Sequence, residues 1–134
     1  MKRRNLIQTL GFLCCLPAVI AQEKTKDSEK LGNVHFAVSC LPATQPQFDR
    51  AVAMLHSFWY PQGLNAFTEI TKNDPSCAMA YWGMAISRRA NPMVGAPGAG
   101  PDALRDALES VSKAKLAGVK TQRERDYIAA IETY

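Results

Sequence analysis

The sequence is poor in the residues and motifs on which most enzymes depend. Histidine occurs only twice, as His35 and His56. The chain has no nucleophile elbow, no His-Glu-x-x-His zinc motif, no paired-glycine phosphate loop and no Cys-x-x-Cys-His haem motif. We therefore predict a non-enzymatic protein with no catalytic residue, no metal and no cofactor. An exported enzyme or metal-binding protein that uses the two histidines is the alternative.

The chain also lacks a charge excess once its N-terminus is set aside. A basic start at Lys2 to Arg4, an apolar run over residues 6–20 and small residues near Ala21 predict a signal peptide over residues 1–21. Three of the 16 basic and none of the 12 acidic residues lie in it, so 13 basic and 12 acidic residues remain. A nucleic-acid partner is therefore not indicated. The apolar run is shorter than the roughly 20 residues of a bilayer span, so we expect an exported bacterial protein, periplasmic or secreted, without a membrane span after cleavage.

Cysteine is scarce outside the predicted signal. Cys14 and Cys15 lie within the signal, which leaves Cys40 and Cys77. In an exported protein such a pair most often forms a disulfide, and this one would close a loop of 36 intervening residues. The chain-entropy picture gives such a loop about 4 kcal/mol. A Cys2His2 metal site and a Cys-His nucleophile are the alternatives, but the residues lack close metal-ligand spacing and nothing nearby marks either thiol as activated.

The remaining chain shows helical periodicity. Residues 22–33 are charged and predict a flexible leader, and residues 90–101 form a linker rich in proline and glycine. Between the leader and the first helix, apolar residues alternate from Val34 to Cys40, which favours a short extended piece. Apolar spacings of three and four then predict five helices and no sheet. Their expected starting signals are Thr44, Tyr60, Ser76, Pro101 and Thr121.

The second and third predicted helices carry a spaced set of small and large residues. Its members are Tyr60, Gly63, Phe67, Ile70, Pro75, Ala78, Tyr81, Met84 and Ala85. This set resembles the tetratricopeptide repeat, a helical hairpin of about 34 residues. With HFAVSCLPATQPQFDRAVAMLHSFWY and KTQRERDYIAAIE, it is similar to the N-terminal part of exported bacterial tetratricopeptide-repeat proteins. The resemblance implies an all-α stack of antiparallel helix hairpins over residues 34–134. We expect this stack to be incomplete, because Tyr134 ends the chain inside an apolar pattern.

The resemblance also implies a function. Tetratricopeptide proteins are scaffolds that bind a partner protein or peptide in a groove lined by the first helix of each hairpin. Phe48 and Val52 lie on that side of the first helix, and the candidate partner-binding residues are His56, Met79, Trp82, Ile86 and Arg89. Two alternatives stay open. Phe48 and Trp82 could be core residues, or be covered by residues 34–38, and the chain could be a structural module of a larger periplasmic protein.

Overall fold

The computed structural model describes residues 30–89 and 100–133. The predicted signal peptide, most of the predicted leader, nearly all of the predicted linker and Tyr134 lie outside these residues. The described part is all-α, as predicted, and contains no strand. None of its helices combines the length and hydrophobicity needed to span a bilayer. A 3-10 turn at Pro42–Thr44 precedes the helices, which are α1 Gln45–His56, α2 Tyr60–Asn73, α3 Ala78–Ser87, α4 Pro101–Leu116 and α5 Gln122–Glu132.

Local signals explain most of the helix boundaries. Prolines occupy the first turns of α1, α2 and α4, where the missing N–H costs no helical hydrogen bond. Gly118 follows α4 with φ +83°, a left-handed conformation that glycine adopts without a steric penalty. The Thr121 hydroxyl caps α5 by accepting a hydrogen bond from the N–H of Glu124 at 3.2 Å. These boundaries were predictable because each depends on residues close together in the chain.

Two predicted capping hydrogen bonds are missing, although Thr44 is the N-cap residue of α1 as predicted, and the reason is the same for both. Thr44 caps no helix N–H, and Cys77 rather than Ser76 is the N-cap residue of α3. Both hydroxyls bond the buried carboxylate of Asp74 instead, Ser76 at 2.7 Å and Thr44 at 3.5 Å. Asp74 also accepts the N–H of Leu41 at 2.8 Å, so it joins the chain before α1 to the turn between α2 and α3.

The helices pack in chain order, each against the next, and α3 also contacts α1 and α5. The neighbours of α2 show its direction. Gly63 lies beside Leu55 of α1 and Ser87 of α3, whereas Phe67, one turn later, packs on Phe48 and Gly83. As the residue number increases along α2, the residue numbers of its contacts in α1 and in α3 decrease. Helix α2 is therefore antiparallel to both α1 and α3.

Small residues make α3 the centre of the molecule. Ala78, Ala80, Gly83 and Ala85 are all buried along this one helix. Their short side chains let neighbouring helices approach closely, and large side chains then fill the space beside the contact. The largest fully buried groups include Phe48 of α1, Phe67 and Ile70 of α2 and Met79 of α3. A core shared by α1, α2 and α3 follows from this alternation of sizes.

Candidate functional site: the face formed by α1, α3 and α5

Helices α1, α3 and α5 share a face that carries a cavity of about 560 Å³. Its walls come from α1, α3 and α5, from Phe58 in the turn before α2, from Tyr60 at the start of α2 and from Phe36. We call this surface the α1–α3–α5 face. Volumes of this size are typical of sites that hold a small molecule or a few side chains. The lining residues are Phe36, Val52, Leu55, His56, Phe58, Tyr60, Trp82, Ile86, Arg89 and Tyr127.

Most of the candidate partner-binding residues come together here. His56, Trp82, Ile86 and Arg89 line the cavity, together with Val52 of α1. Met79 does not, because it is fully buried in the core. Trp82 is only 7% exposed, and Phe48 is fully buried. The structure therefore matches the alternative in which Phe48 and Trp82 are covered, and it leaves His56 as the exposed member of the set.

Residues 34–41, here called the extended segment, provide that cover. Side chains from Val34 to Val38 alternate between half-buried and exposed, as expected for an extended chain. The Phe36 ring lies 5.7 Å from Trp82, 5.8 Å from Phe48 and 5.2 Å from Tyr127, measured between ring centroids. Aromatic pairs at such separations add stabilisation beyond their area burial. One phenylalanine thus contacts α1, α3 and α5 together.

The backbone of the extended segment is bound by α1 side chains. The Gln45 amide accepts the N–H of Val38 at 3.1 Å and donates to the carbonyl of Phe36 at 2.9 Å. Asp49 accepts the N–H of Phe36 at 2.9 Å. Because no strand pairs with the segment within the described residues, these side chains replace the ladder that a sheet would supply.

Side chains from α5 and the turn before it bind the second half of the segment. The carbonyl of Ala37 accepts a hydrogen bond from Arg123 at 2.8 Å, and the carbonyl of Ser39 accepts one from Lys120, also at 2.8 Å. The buried Glu124 carboxylate accepts the N–H of Ser39 at 2.7 Å and its hydroxyl at 2.5 Å. The Arg123 guanidinium also lies 4.4 Å from the Phe36 ring centre, within cation–π range.

The carboxylates that hold the segment have lowered pKa values. Burial raises the pKa of Glu124, but hydrogen bonds from Ser39 and Thr121 outweigh burial and bring the pKa below its usual value. Burial likewise raises the pKa of Asp49, and hydrogen bonds from Phe36, His35 and Gln45 lower it further than burial raises it. Both groups therefore stay ionised near neutral pH, which strengthens their hydrogen bonds to backbone N–H groups.

The cysteines hold one end of the segment. Cys40 and Cys77 are at disulfide distance, with their Cα atoms 4.7 Å apart. With Asp74 they form the one group of three possible metal ligands found among the described residues. The Asp74 carboxylate already accepts hydrogen bonds from Leu41 and Ser76.

Neither histidine belongs to that group of possible metal ligands. His35 lies against Asp49, with its Nδ1 3.0 Å from the carboxylate. His56, the last residue of α1, lines the cavity about two helical turns after Asp49.

A strained residue borders the cavity. Phe58, between α1 and α2, has φ +59°, and its side chain is half exposed. A bulky side chain in this conformation costs about 1–3 kcal/mol, and such strain often occurs at functional sites. Its neighbour Trp59 is also exposed. Helical spacing admits either aromatic as the last apolar position of α1, and it contains no signal for the positive φ of Phe58.

The side chains that hold the extended segment were not among the predicted site residues. Gln45, Asp49 and Arg123 carry no recognisable motif, and Glu124 stands three residues after Thr121, a spacing that indicates only a helix capping box. One signal could have indicated that such side chains exist, namely the apolar alternation from Val34 to Cys40 in a chain with no predicted sheet. An extended backbone without a sheet needs hydrogen-bond partners from side chains elsewhere in the protein.

Comparisons with protein-family models, with curated proteins and with solved structures found no match. The function is therefore inferred from the residues and from their geometry.

Proposed function

We propose that this chain is a non-enzymatic scaffold that binds an extended segment of a partner protein on the α1–α3–α5 face. The proposal includes the tetratricopeptide character of the hairpins, whose first helices would be α1, α3 and α5. The observation that carries it is that these three helices, which alternate along the chain, contribute to one cavity. Such a face accommodates a continuous peptide better than any single hairpin would.

The chemistry of the cavity defines the partner. Val52, Leu55, Ile86 and the ring faces of Trp82 and Tyr127 are apolar, so the side chain that enters is aliphatic or aromatic. The helical side chains beside the cavity already bind the backbone of residues 36–39. A partner in an extended conformation exposes its N–H and carbonyl groups in the same way, whereas a helical partner would not.

The test uses peptides selected for binding to the full-length protein from a displayed library. Affinity is then measured by fluorescence anisotropy for the wild type, Ile86→Asp and Leu116→Asp. Ile86 lines the cavity, whereas Leu116 is 86% exposed on α4, which contributes nothing to the cavity. We expect Ile86→Asp to weaken binding about tenfold or more, as for a residue in the centre of an interface. Leu116→Asp should bind as the wild type does.

Equal affinity of the two variants would place the peptide elsewhere and refute the assignment of this face. Ile86 is a better choice than Trp82, because Trp82 is buried against Phe36 and Tyr127. Truncating Trp82 would cost about 3–5 kcal/mol of folding stability, so lost binding could reflect unfolding.

We also propose that the protein is exported. The predicted signal peptide and the placement of Cys40 and Cys77 at disulfide distance support this. Fractionation of cells that express the full-length gene tests it. Export predicts a processed chain outside the cytoplasm, and an unprocessed chain confined to the cytoplasm would refute it.

A further inference from the structure

The extended segment is bound to the helices in the way that a separate peptide would be. Each residue from Phe36 to Ser39 has at least one backbone group that is hydrogen-bonded by a side chain rather than by a helix or sheet ladder. Those side chains come from α1 and from the region of α5, which are far apart in the sequence. The contact between Ser39 and Glu124, for example, joins residues 85 positions apart.

Phe36 is the anchor of this arrangement. Its ring is stacked on Trp82, approaches Tyr127 edge-on and lies beneath the Arg123 guanidinium. The same ring forms part of the cavity wall. Removal of Phe36 would therefore join the space it occupies to the cavity, and the exposed faces of Trp82 and Tyr127 would line a longer groove.

The attachment of the segment is unequal at its two ends. At the C-terminal end, Cys40 lies at disulfide distance from Cys77, and the Leu41 N–H is bound by Asp74. Towards the other end, the side chain of His35 is 72% exposed and contacts Asp49 at the surface. The segment could thus leave the face from its N-terminal side and stay tethered at Cys40, which would keep its effective concentration high.

We propose that residues 34–39 are an intramolecular ligand of the α1–α3–α5 face, which a partner must displace in order to bind. This inference rests on the proposed function and names the regulation of the same face. The competing partner segment is extended and carries an aromatic residue at the position of Phe36, with aliphatic residues two positions before and after it, as Val34 and Val38 are. The groups that receive it are those that now hold the segment.

The test compares the full-length wild type with Phe36→Ala, which removes the anchor and leaves every receiving side chain unchanged. Ala37→Ser is the matched control, because the Ala37 side chain is exposed and its contribution is through its carbonyl. The probe is a fluorescein-labelled synthetic peptide with the sequence of residues 32–39, GNVHFAVS, which contains no cysteine. Binding is measured by fluorescence anisotropy without reductant.

We expect Phe36→Ala to bind the probe at least about tenfold more tightly than the wild type and Ala37→Ser do. In the latter two proteins the extended segment occupies the face most of the time, and the apparent affinity for the probe falls in proportion to the fraction of molecules whose face is free. A probe in which alanine replaces its phenylalanine should bind none of the proteins. Equal affinities for wild type and Phe36→Ala would overturn the proposal. So would the absence of binding to a Phe36→Ala protein whose circular dichroism spectrum matches that of the wild type.

If Phe36→Ala does not fold, Val38→Ala takes its place, because Val38 is only half-buried and its truncation removes less contact. The same ranking against Ala37→Ser is expected. The library peptides separate this inference from the proposed function. If they bind wild type and Phe36→Ala equally well and remain sensitive to Ile86→Asp, the face binds peptides and the intramolecular ligand is refuted. If no library peptide binds either protein, the proposed function fails as well.

Discussion

Substitution of Gly83 by alanine tests the closest helix contact in the core. A Cβ at this position would overlap three ring atoms of Phe67, namely Cγ, Cδ1 and Cε1. The ring cannot easily withdraw, because Phe67 is fully buried and packs on Phe48 at a centroid distance of 5.4 Å. Overpacking of this kind costs up to about 3 kcal/mol. Alanine has a higher helix propensity than glycine, which offsets this cost by up to about 1 kcal/mol. We therefore expect Gly83→Ala to lower the free energy of unfolding by about 2 kcal/mol.

Gly63→Ala is the matched control, since Gly63 is also buried within a helix. A Cβ there would lie 3.5 Å from Leu55 Cδ2 and 3.6 Å from Ser87 Oγ, both of which are ordinary contacts. Only the propensity gain remains, so this variant should be more stable than the wild type by about 0.5–1 kcal/mol. The same chemical change is thus expected to have opposite effects at Gly63 of α2 and Gly83 of α3, both of which lie where these two helices pack together.

Urea unfolding monitored by far-ultraviolet circular dichroism measures both variants, with the cysteines kept oxidised. The double variant Gly83→Ala with Phe67→Leu adds a mutant cycle, in which we expect a favourable coupling because the smaller side chain relieves the overlap. If Gly83→Ala and Gly63→Ala change stability in the same direction, or if the cycle shows no coupling, the close approach of α2 to α3 is refuted.

Three further predictions concern the extended segment. Cys40 and Cys77 should resist alkylation until reductant is added, and their double serine variant should be less stable by about 4 kcal/mol; alkylation of both without reductant would contradict the pairing. Glu124→Gln should cost about 1–3 kcal/mol by urea unfolding, because it weakens the charge-assisted hydrogen bonds that the buried Glu124 carboxylate accepts from Ser39. Glu132→Gln at the exposed Lys115 ion pair should cost less than about 1 kcal/mol. Because the folded pKa of Glu124 is lowered, its contribution is complete above the unfolded carboxyl value of about 4.3 and is lost as the pH falls through the folded pKa. The wild type should therefore lose more stability than Glu124→Gln between pH 5 and about pH 3, and parallel pH curves would refute the role of this carboxylate.

The helices were predictable and the site was predictable only in part. First-turn prolines, Gly118 and the Thr121 cap act over one helical turn, so the sequence exposes them directly. Thr44 is the N-cap residue of α1 but makes no capping hydrogen bond, and Ser76 is not the N-cap residue of α3, because Asp74 accepts a hydrogen bond from each hydroxyl. For Thr44 that acceptor lies 30 positions away. A local pattern contains no information about such a distant acceptor.

The lack of information on distant contacts also explains why the candidate site was predicted only in part. Spacing along α1 and α3 selected residues on one side of each helix, and four of them, His56, Trp82, Ile86 and Arg89, line one cavity. Spacing did not distinguish the buried Met79 from the half-buried Ile86, because both fall on that side of α3. The difference depends on how closely other elements approach, and the cover over Trp82 comes from Phe36, which precedes it by more than forty positions.

The two kinds of contact on the extended segment have different consequences for binding. Gln45 and Asp49 bond main-chain groups, which every extended peptide presents, so they favour binding without selecting a sequence. Glu124 bonds the main-chain N–H of Ser39 and also its hydroxyl, so it favours a hydroxyl side chain at that position. The space between Trp82 and Tyr127 accepts a flat ring and therefore selects one side chain. In the proposed exchange, a partner gains nothing over residues 34–39 from the main-chain contacts, because both competitors make them equally. Preference between the partner and the tethered segment is then decided by side chains, at the position of Ser39 and above all at the aromatic position, where a larger or better-fitting ring offsets the advantage of the tether.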